Sequence, residues 1–263
     1  MPRRLYRDPL TSEEREEYEA DLIAFCDREL DLLGDIRGLD VLYAGGSSPL
    51  WIEGLAERVG AGGSVTALEL DEERIEAARE LLDGAEHAAP VRLVSGSVFE
   101  PPFVCGSFDL VYSGGLFHEL DVRERSAADA LAALASVVVP GGRVATSDFV
   151  ECVPAAQLDD EALEAALARE VFGVRLYGIG PPERLVSLHE GVLSDVRWRV
   201  LPPVEIRHLG RLVLAGDEPE EMRSLIGAKR EQLRRRRSAL LERVRREGYT
   251  RPATLYVEGA AGI

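Results

Sequence analysis

The chain has 263 residues, 46% of them apolar and 30% charged, enough for a substantial core in one large domain or two small ones. Its net charge of −16 opposes any general affinity for nucleic acid or anionic membrane, because both would repel it. Three cysteines, Cys26, Cys105 and Cys152, are odd in number, far apart and in no metal-ligand spacing, so a reduced cytoplasmic setting and no metal are expected.

Behind Met1-Pro-Arg-Arg-Leu-Tyr6 there is no apolar run, so no signal peptide is expected, and no stretch approaches the ~18 apolar residues of a membrane span. Residues 1–37 read as an arm and a lid helix. Thr11 with Glu14 fits a capping box, and Glu13 and Glu14 suit the positive end of the helix dipole. Tyr18, Leu22, Phe25, Cys26 and Leu33 recur at helical spacing as one apolar stripe, which is either a packed face or a lid over a ligand with Tyr6 and Tyr18 as aromatic walls.

From Gly38 to Phe149 strands and helices alternate. Apolar strands are expected at 40–44, 64–69, 91–95, 108–113 and 142–148, with helices at 50–60, 71–83 and 124–137. Alternation of this kind predicts an α/β fold, a mostly parallel sheet with helices on both faces and ligands at the carboxyl ends of the strands. Residues 150–194 break the rhythm with a helix at 159–171, an aromatic loop and a helix at 182–193. Strands at 196–201, at Arg211-Leu-Val-Leu-Ala215 and at Thr254-Leu-Tyr-Val-Glu258 complete the sheet, either of the last two pairing antiparallel with 196–201. Residues 217–248 hold ten Lys/Arg against seven Asp/Glu, including Arg234–Arg237, and read as one long surface helix. Such a helix is packed, solvated or dimer-forming, while an RNA or phosphate patch is disfavoured by the acidity around it. The boundaries expected are therefore 1–37, a core at 38–216 with a cap at 151–181, and 217–263.

Four stations follow successive strands. The first is Val41-Leu-Tyr-Ala-Gly-Gly-Ser47, where Tyr43, Ala44, Gly45, Gly46 and Ser47 lead into a helix at Pro49, and glycine permits close backbone approach to a ligand. The second is Glu69, with Leu70 after it, a carboxylate able to accept both hydrogen bonds of a ribose diol. The third is Gly96-Ser97-Val98, a polar edge and an apolar face for an adenine. The fourth is Ser113-Gly114-Gly115 with Phe117 and His118 close behind. A G-x-G-x-x-G fingerprint is absent, which disfavours a nicotinamide-dinucleotide oxidoreductase.

With these stations in order, Gly38 to Val150 resembles a class I S-adenosylmethionine-dependent methyltransferase, of the branch that includes the ubiquinone/menaquinone-biosynthesis enzymes. Phe108-Asp-Leu-Val-Tyr-Ser-Gly-Gly-Leu-Phe-His-Glu-Leu120 and Pro140-Gly141-Gly142 are similar to that family's later motifs. The resemblance implies a Rossmann-like, doubly wound, seven-stranded sheet with an antiparallel last strand. It also implies S-adenosyl-L-methionine as cofactor, bound by the glycine turn, Glu69, Leu70, Ser97, Val98, Ser113 and Gly114, and a small-molecule acceptor. His118 is the candidate base, with Asp148 and Tyr177 behind it. Tyr43 stands where the family has an acid that helps hold the cofactor's methionine end, Ser47 and Pro49 where it has glycines, and Ser97 where it has an acid. A non-catalytic scaffold on the same fold is the rival reading.

Overall fold

The computed structural model describes residues 9–84, 86–152 and 155–262. Tyr6 lies outside them.

The first helix, α1 (Ser12–Leu30), begins at the expected capping box: the Thr11 hydroxyl accepts the Glu14 N–H and the Glu14 carboxylate accepts that of Thr11. It buries Phe25, Cys26, Glu29 and Leu30. The alternating region follows as β1 (Asp40–Ala44), α2 (Pro49–Val59), β2 (Ser64–Glu69), α3 (Glu72–Leu82), β3 (Val91–Ser95), β4 (Phe108–Gly114), α4 (Ala127–Ser136) and β5 (Val138–Val150). Then come α5 (Ala156–Phe172), α6 (Pro182–Glu190), β6 (Ser194–Leu201), β7 (Val204–Glu205), α7 (Leu209–Ala215), α8 (Glu220–Ser224), α9 (Gly227–Glu247), β8 (Thr250–Arg251) and β9 (Ala253–Ala260).

The main sheet has seven strands in the order β3-β2-β1-β4-β5-β9-β6. The pairings β3 to β2, β2 to β1, β1 to β4 and β4 to β5 are parallel, and β9 runs antiparallel between β5 and β6. This is the mostly parallel sheet that the alternation predicts, in the Rossmann-like, seven-stranded form with an antiparallel last strand that the resemblance implies. Parallel strands need covering on both faces, and Val41, Leu42, Val65, Leu68, Leu110 and Val111 are accordingly fully buried. One apolar layer joins α4 and α6 to the sheet, and another joins α1 and α2 to the opposite face. The strand order reverses between β1 and β4, so their carboxyl ends part and leave a crevice there.

Two expectations need correction, and one open alternative is decided. Residues 211–215 are the body of helix α7 and not a strand. Leu209, Val213 and Leu214 all pack in a third apolar cluster with α9, and a helix brings the neighbours Val213 and Leu214 to one side where a strand would send them to opposite faces. The strand that pairs with β6 is β9. The basic segment is two helices, broken where Leu225 and Ile226 take extended backbone, and Gly227 enters α9 at φ +66°. Leu233, Leu240 and Val244 of α9 bury against the cluster that contains Leu163 and Leu167 of α5.

Candidate functional site

A cleft of about 580 Å3 opens at the carboxyl ends of β1, β2, β4 and β5, within the size range of small-molecule and cofactor sites. Its floor is the β1–α2 turn. Gly45 has φ +73° and lies against Leu116, and Gly46 lies against the Tyr43 ring, so a side chain at either position would collide. Both glycine N–H groups donate to Leu68 O, at 2.8 and 3.2 Å, which ties the turn to β2. Tyr43, 4% exposed, stacks on Tyr112 at 6.0 Å between ring centroids.

Glu69 ends β2 inside the cleft. One oxygen accepts the Asp71 N–H at 3.0 Å, which fixes the carboxylate and leaves its other oxygen for a ligand. The walls beside it are apolar: Ala77, Ala78 and Leu81 of α3 line the cleft, and Leu70 and Leu81 stand 72% and 71% exposed. Ser97 and Val98 follow Gly96, whose N–H donates to Glu69 O at 2.9 Å. They adjoin this end without lining the cleft: Ser97 Oγ accepts the Phe99 N–H, and Val98 is buried in the core. Ala44 is buried beneath the turn, while Ser47, Ser48 and Gly114 line the opening.

Ser113 faces inward. It is hydrogen-bonded to Thr146, which bonds His189 Nε2 at 3.0 Å, and Nδ1 of His189 lies 2.8 Å from Leu185 O. Burial pushes His189 down to about 4, so its ring is neutral, donates from Nδ1 and accepts from Thr146. Ser113 therefore belongs to a structural relay.

Asp148 and His118 form the centre of the wall. Asp148, 2% exposed, accepts the backbone N–H groups of Phe117 (2.7 Å), His118 (3.1 Å) and Phe149 (2.7 Å), and His118 Nδ1 lies 2.6 Å from its Oδ1. Those bonds occupy the carboxylate and hold the imidazole in one orientation. Burial alone would lower the His118 value, but the Asp148 charge and hydrogen bond, with Glu161 and Glu119 beyond, outweigh it and raise it to about 9. At neutral pH the ring is therefore a cation that donates Nδ1–H to Asp148. Its Nε2 points toward Glu119 and Glu161, at 3.8 and 3.9 Å.

Past this nitrogen lies a second cavity of about 600 Å3, between α5 and residues 174–179, which shares Arg74, His118, Glu119 and Glu161 with the first. Tyr177 lines neither cavity. Its ring lies 3.8 Å under the Arg184 guanidinium, in a small hollow behind His118 and Asp148.

The cleft also collects residues that the motifs do not mark: Glu29, Trp51, Arg74, Gln157, Glu161, Arg251 and Thr254. The one sequence signal for Glu29 is its place four residues after Phe25, inside the apolar stripe of α1. Buried polar atoms here lack a hydrogen-bond partner, namely Glu29 Oε1, Trp51 Nε1, Ser147 Oγ, Gln157 Oε1, Arg251 Nε and Thr254 Oγ1. Leaving such atoms unpaired costs free energy, so this is a lining that fits a polar, largely buried ligand. The donor and acceptor set suits a nucleoside with a charged tail.

Residues 41–142 match the family model described as a methyltransferase domain. No curated protein matches the sequence. Among solved structures, the chain is similar to a candidate sarcosine dimethylglycine methyltransferase from Galdieria sulphuraria (18% identity, 98% of this chain and 93% of that one, TM-score 0.58). It is also similar to geranyl diphosphate C-methyltransferase from Streptomyces coelicolor (15% identity, 97% and 85%, TM-score 0.55). A third is a phosphoethanolamine N-methyltransferase from Haemonchus contortus (12% identity, 95% and 58%, TM-score 0.58). At these identities the likeness is one of fold. The likeness to a methyltransferase domain is thus carried by residues 41–142, and over the rest of the chain it is a likeness of fold.

Proposed function

We propose that the protein transfers a methyl group from S-adenosylmethionine to a small-molecule acceptor by in-line displacement. The observation that carries this reading is the cleft at the β1–β4 switch point, with Glu69 fixed beside apolar walls and unpartnered polar atoms along its length. S-adenosylmethionine supplies a methyl group already activated on a sulfonium, so the protein's task is to bind, align and exclude water. The free carboxylate oxygen of Glu69 accepts the ribose hydroxyls, Leu70, Ala77, Ala78 and Leu81 cover the base, and Ser97 and Val98 close that end. The carboxylates of the cleft outnumber its cations, which favours a ligand of net positive charge.

The acceptor would enter the second cavity, under the cap formed by residues 151–181, and meet the methyl group beside His118. As the base, His118 would first lose its own proton, with Asp148 holding the ring in place. A base of this value serves an acceptor whose proton leaves reluctantly. Tyr177 takes a supporting place behind this pair. Within the class, the branch that includes the ubiquinone/menaquinone-biosynthesis enzymes is the one proposed, on the order of motifs along Gly38–Val150, and a cytoplasmic setting is proposed because Cys26, Cys105 and Cys152 are free thiols. Any self-association through α9 would use its arginine-bearing outer face, since its apolar side packs against α5.

Calorimetric titration of the Glu69→Ala variant with S-adenosylhomocysteine tests the site. We expect affinity to fall at least tenfold, the loss of a charge-assisted pair of hydrogen bonds. Unchanged affinity would remove Glu69 from the site.

A further inference from the structure

Glu29 is the most anomalous side chain of the cleft. It is 3% exposed, Oε1 has no hydrogen-bond partner, and among the described residues no cation stands within ion-pair distance of it. A buried carboxylate in that state is costly unless something pairs with it. Arg251 lines the same cleft, its Nε is buried and unpartnered, and its guanidinium lies over Phe25 and Phe149 at 4.9 and 5.6 Å from the ring centroids. The two charges sit on different elements, α1 and β8, and are not bonded to one another. One cleft thus holds a buried carboxyl with the Thr254 hydroxyl beside it and an arginine stacked on two rings, near enough to feel each other's charge but not paired.

The sheet order places this pair relative to the rest of the cleft. Glu69 and α3 form the β2 end. The cleft then crosses the Gly45–Gly46 turn of β1 and reaches Glu29, Arg251 and Thr254, beside β5 and β9. A nucleoside whose ribose is held at Glu69 must send the rest of its chain over the glycine turn toward them.

We propose that Glu29 and Arg251 form a receptor for a zwitterionic amino-acid group, Glu29 pairing with the ammonium and Arg251 with the carboxylate. We further propose that its occupant is the aminocarboxypropyl end of the cofactor. This rests on the reading that the cleft takes S-adenosylmethionine. It assigns to α1 the acid that β1 lacks at Tyr43.

A consequence for protons follows. Burial raises Glu29 to about 7, against the opposing pull of the Thr254 hydroxyl, Arg28 and Arg251, with Asp148 pushing it further up and the buried Tyr43 and Tyr112 hydroxyls nearby. At pH 7 the empty site is therefore partly protonated, and an arriving ammonium expels that proton. Binding should release a fraction of a proton at pH 7 and strengthen as pH rises through that value.

The test compares S-adenosylhomocysteine with 5′-methylthioadenosine, which keeps the nucleoside and lacks the amino-acid group. Titrations at pH 7 use two buffers of different ionisation enthalpy, on the wild type and on the Glu29→Gln and Arg251→Gln variants. We expect each variant to bind S-adenosylhomocysteine at least tenfold more weakly and methylthioadenosine as the wild type does, which also shows that the variants are folded. Proton release should accompany the homocysteine ligand alone and vanish in Glu29→Gln. Wild-type affinity for S-adenosylhomocysteine in both variants, or equal losses for the two ligands, overturns the receptor. Should Glu29→Gln weaken S-adenosylmethionine but not S-adenosylhomocysteine, the carboxylate faces the sulfonium and the assignment is wrong. A wild-type protein that binds neither ligand defeats the cofactor reading itself, and this proposal with it.

Discussion

The charge state of the cleft wall is set at the level of single residues, by Asp148 acting on His118. Three backbone N–H groups and the imidazole converge on one buried carboxylate, so the anion is fully solvated by the protein and the ring beside it is held as a cation. His118 has a folded value of about 9, above the ~6.5 of an unfolded histidine. Its pairing therefore stabilises the fold in full below about pH 6.5, and that contribution is lost as pH rises through about 9. Proton NMR of the His118 ring should show titration near pH 9. In Asp148→Asn, where only Glu161 and Glu119 are left to oppose burial, the ring should titrate well below that value. Titration at an ordinary histidine value in both proteins would show that the pair is not formed. His118 and Asp148 were legible in the sequence because one follows the end of β4 and the other lies near the end of β5. Their coupling was not, since thirty residues separate them in the chain and only the parallel pairing of β4 with β5 unites them.

At the scale of elements, the turn after β1 governs the cleft, and its glycines are required by space as well as by dihedral angle. Gly45 holds φ +73° with Leu116 against it, so Gly45→Ala combines a strained backbone with a clash. The variant should lose about 1–3 kcal/mol of stability by chemical denaturation. A midpoint equal to that of the wild type would show that the turn can relax. The strands and helices from Asp40 to Phe149 were readable because apolar runs, caps and glycines all agree there. Residues 211–215 were not, since Leu-Val-Leu suits a buried strand as well as a helix flank, and the partner that decides, α9, lies later in the chain. The break at Leu225–Ile226 was hidden for a similar reason: apolar residues at helical intervals continue across it.

For the whole molecule, the order of motifs along the chain indicated the sheet and its ligand end, because parallel α/β topology ties sequence position to strand position. What the sequence left unmarked is the far side of the cleft, where α1, α5, β8 and β9 deliver Glu29, Gln157, Glu161, Arg251 and Thr254 from distant parts of the chain. In the sequence that side showed as a candidate lid helix, a cap at 151–181 and a terminal strand, with no motif to single out these side chains. The account as a whole rests on one occupant for the cleft. Calorimetric titration of the intact wild-type chain with S-adenosylmethionine, alongside NADH, tests that most directly. The account predicts a saturable one-site isotherm with S-adenosylmethionine and none with NADH. No saturable heat and no thermal shift with S-adenosylmethionine would contradict it and leave the fold to serve as a scaffold, and saturable binding of NADH in its place would turn the cleft to a different chemistry.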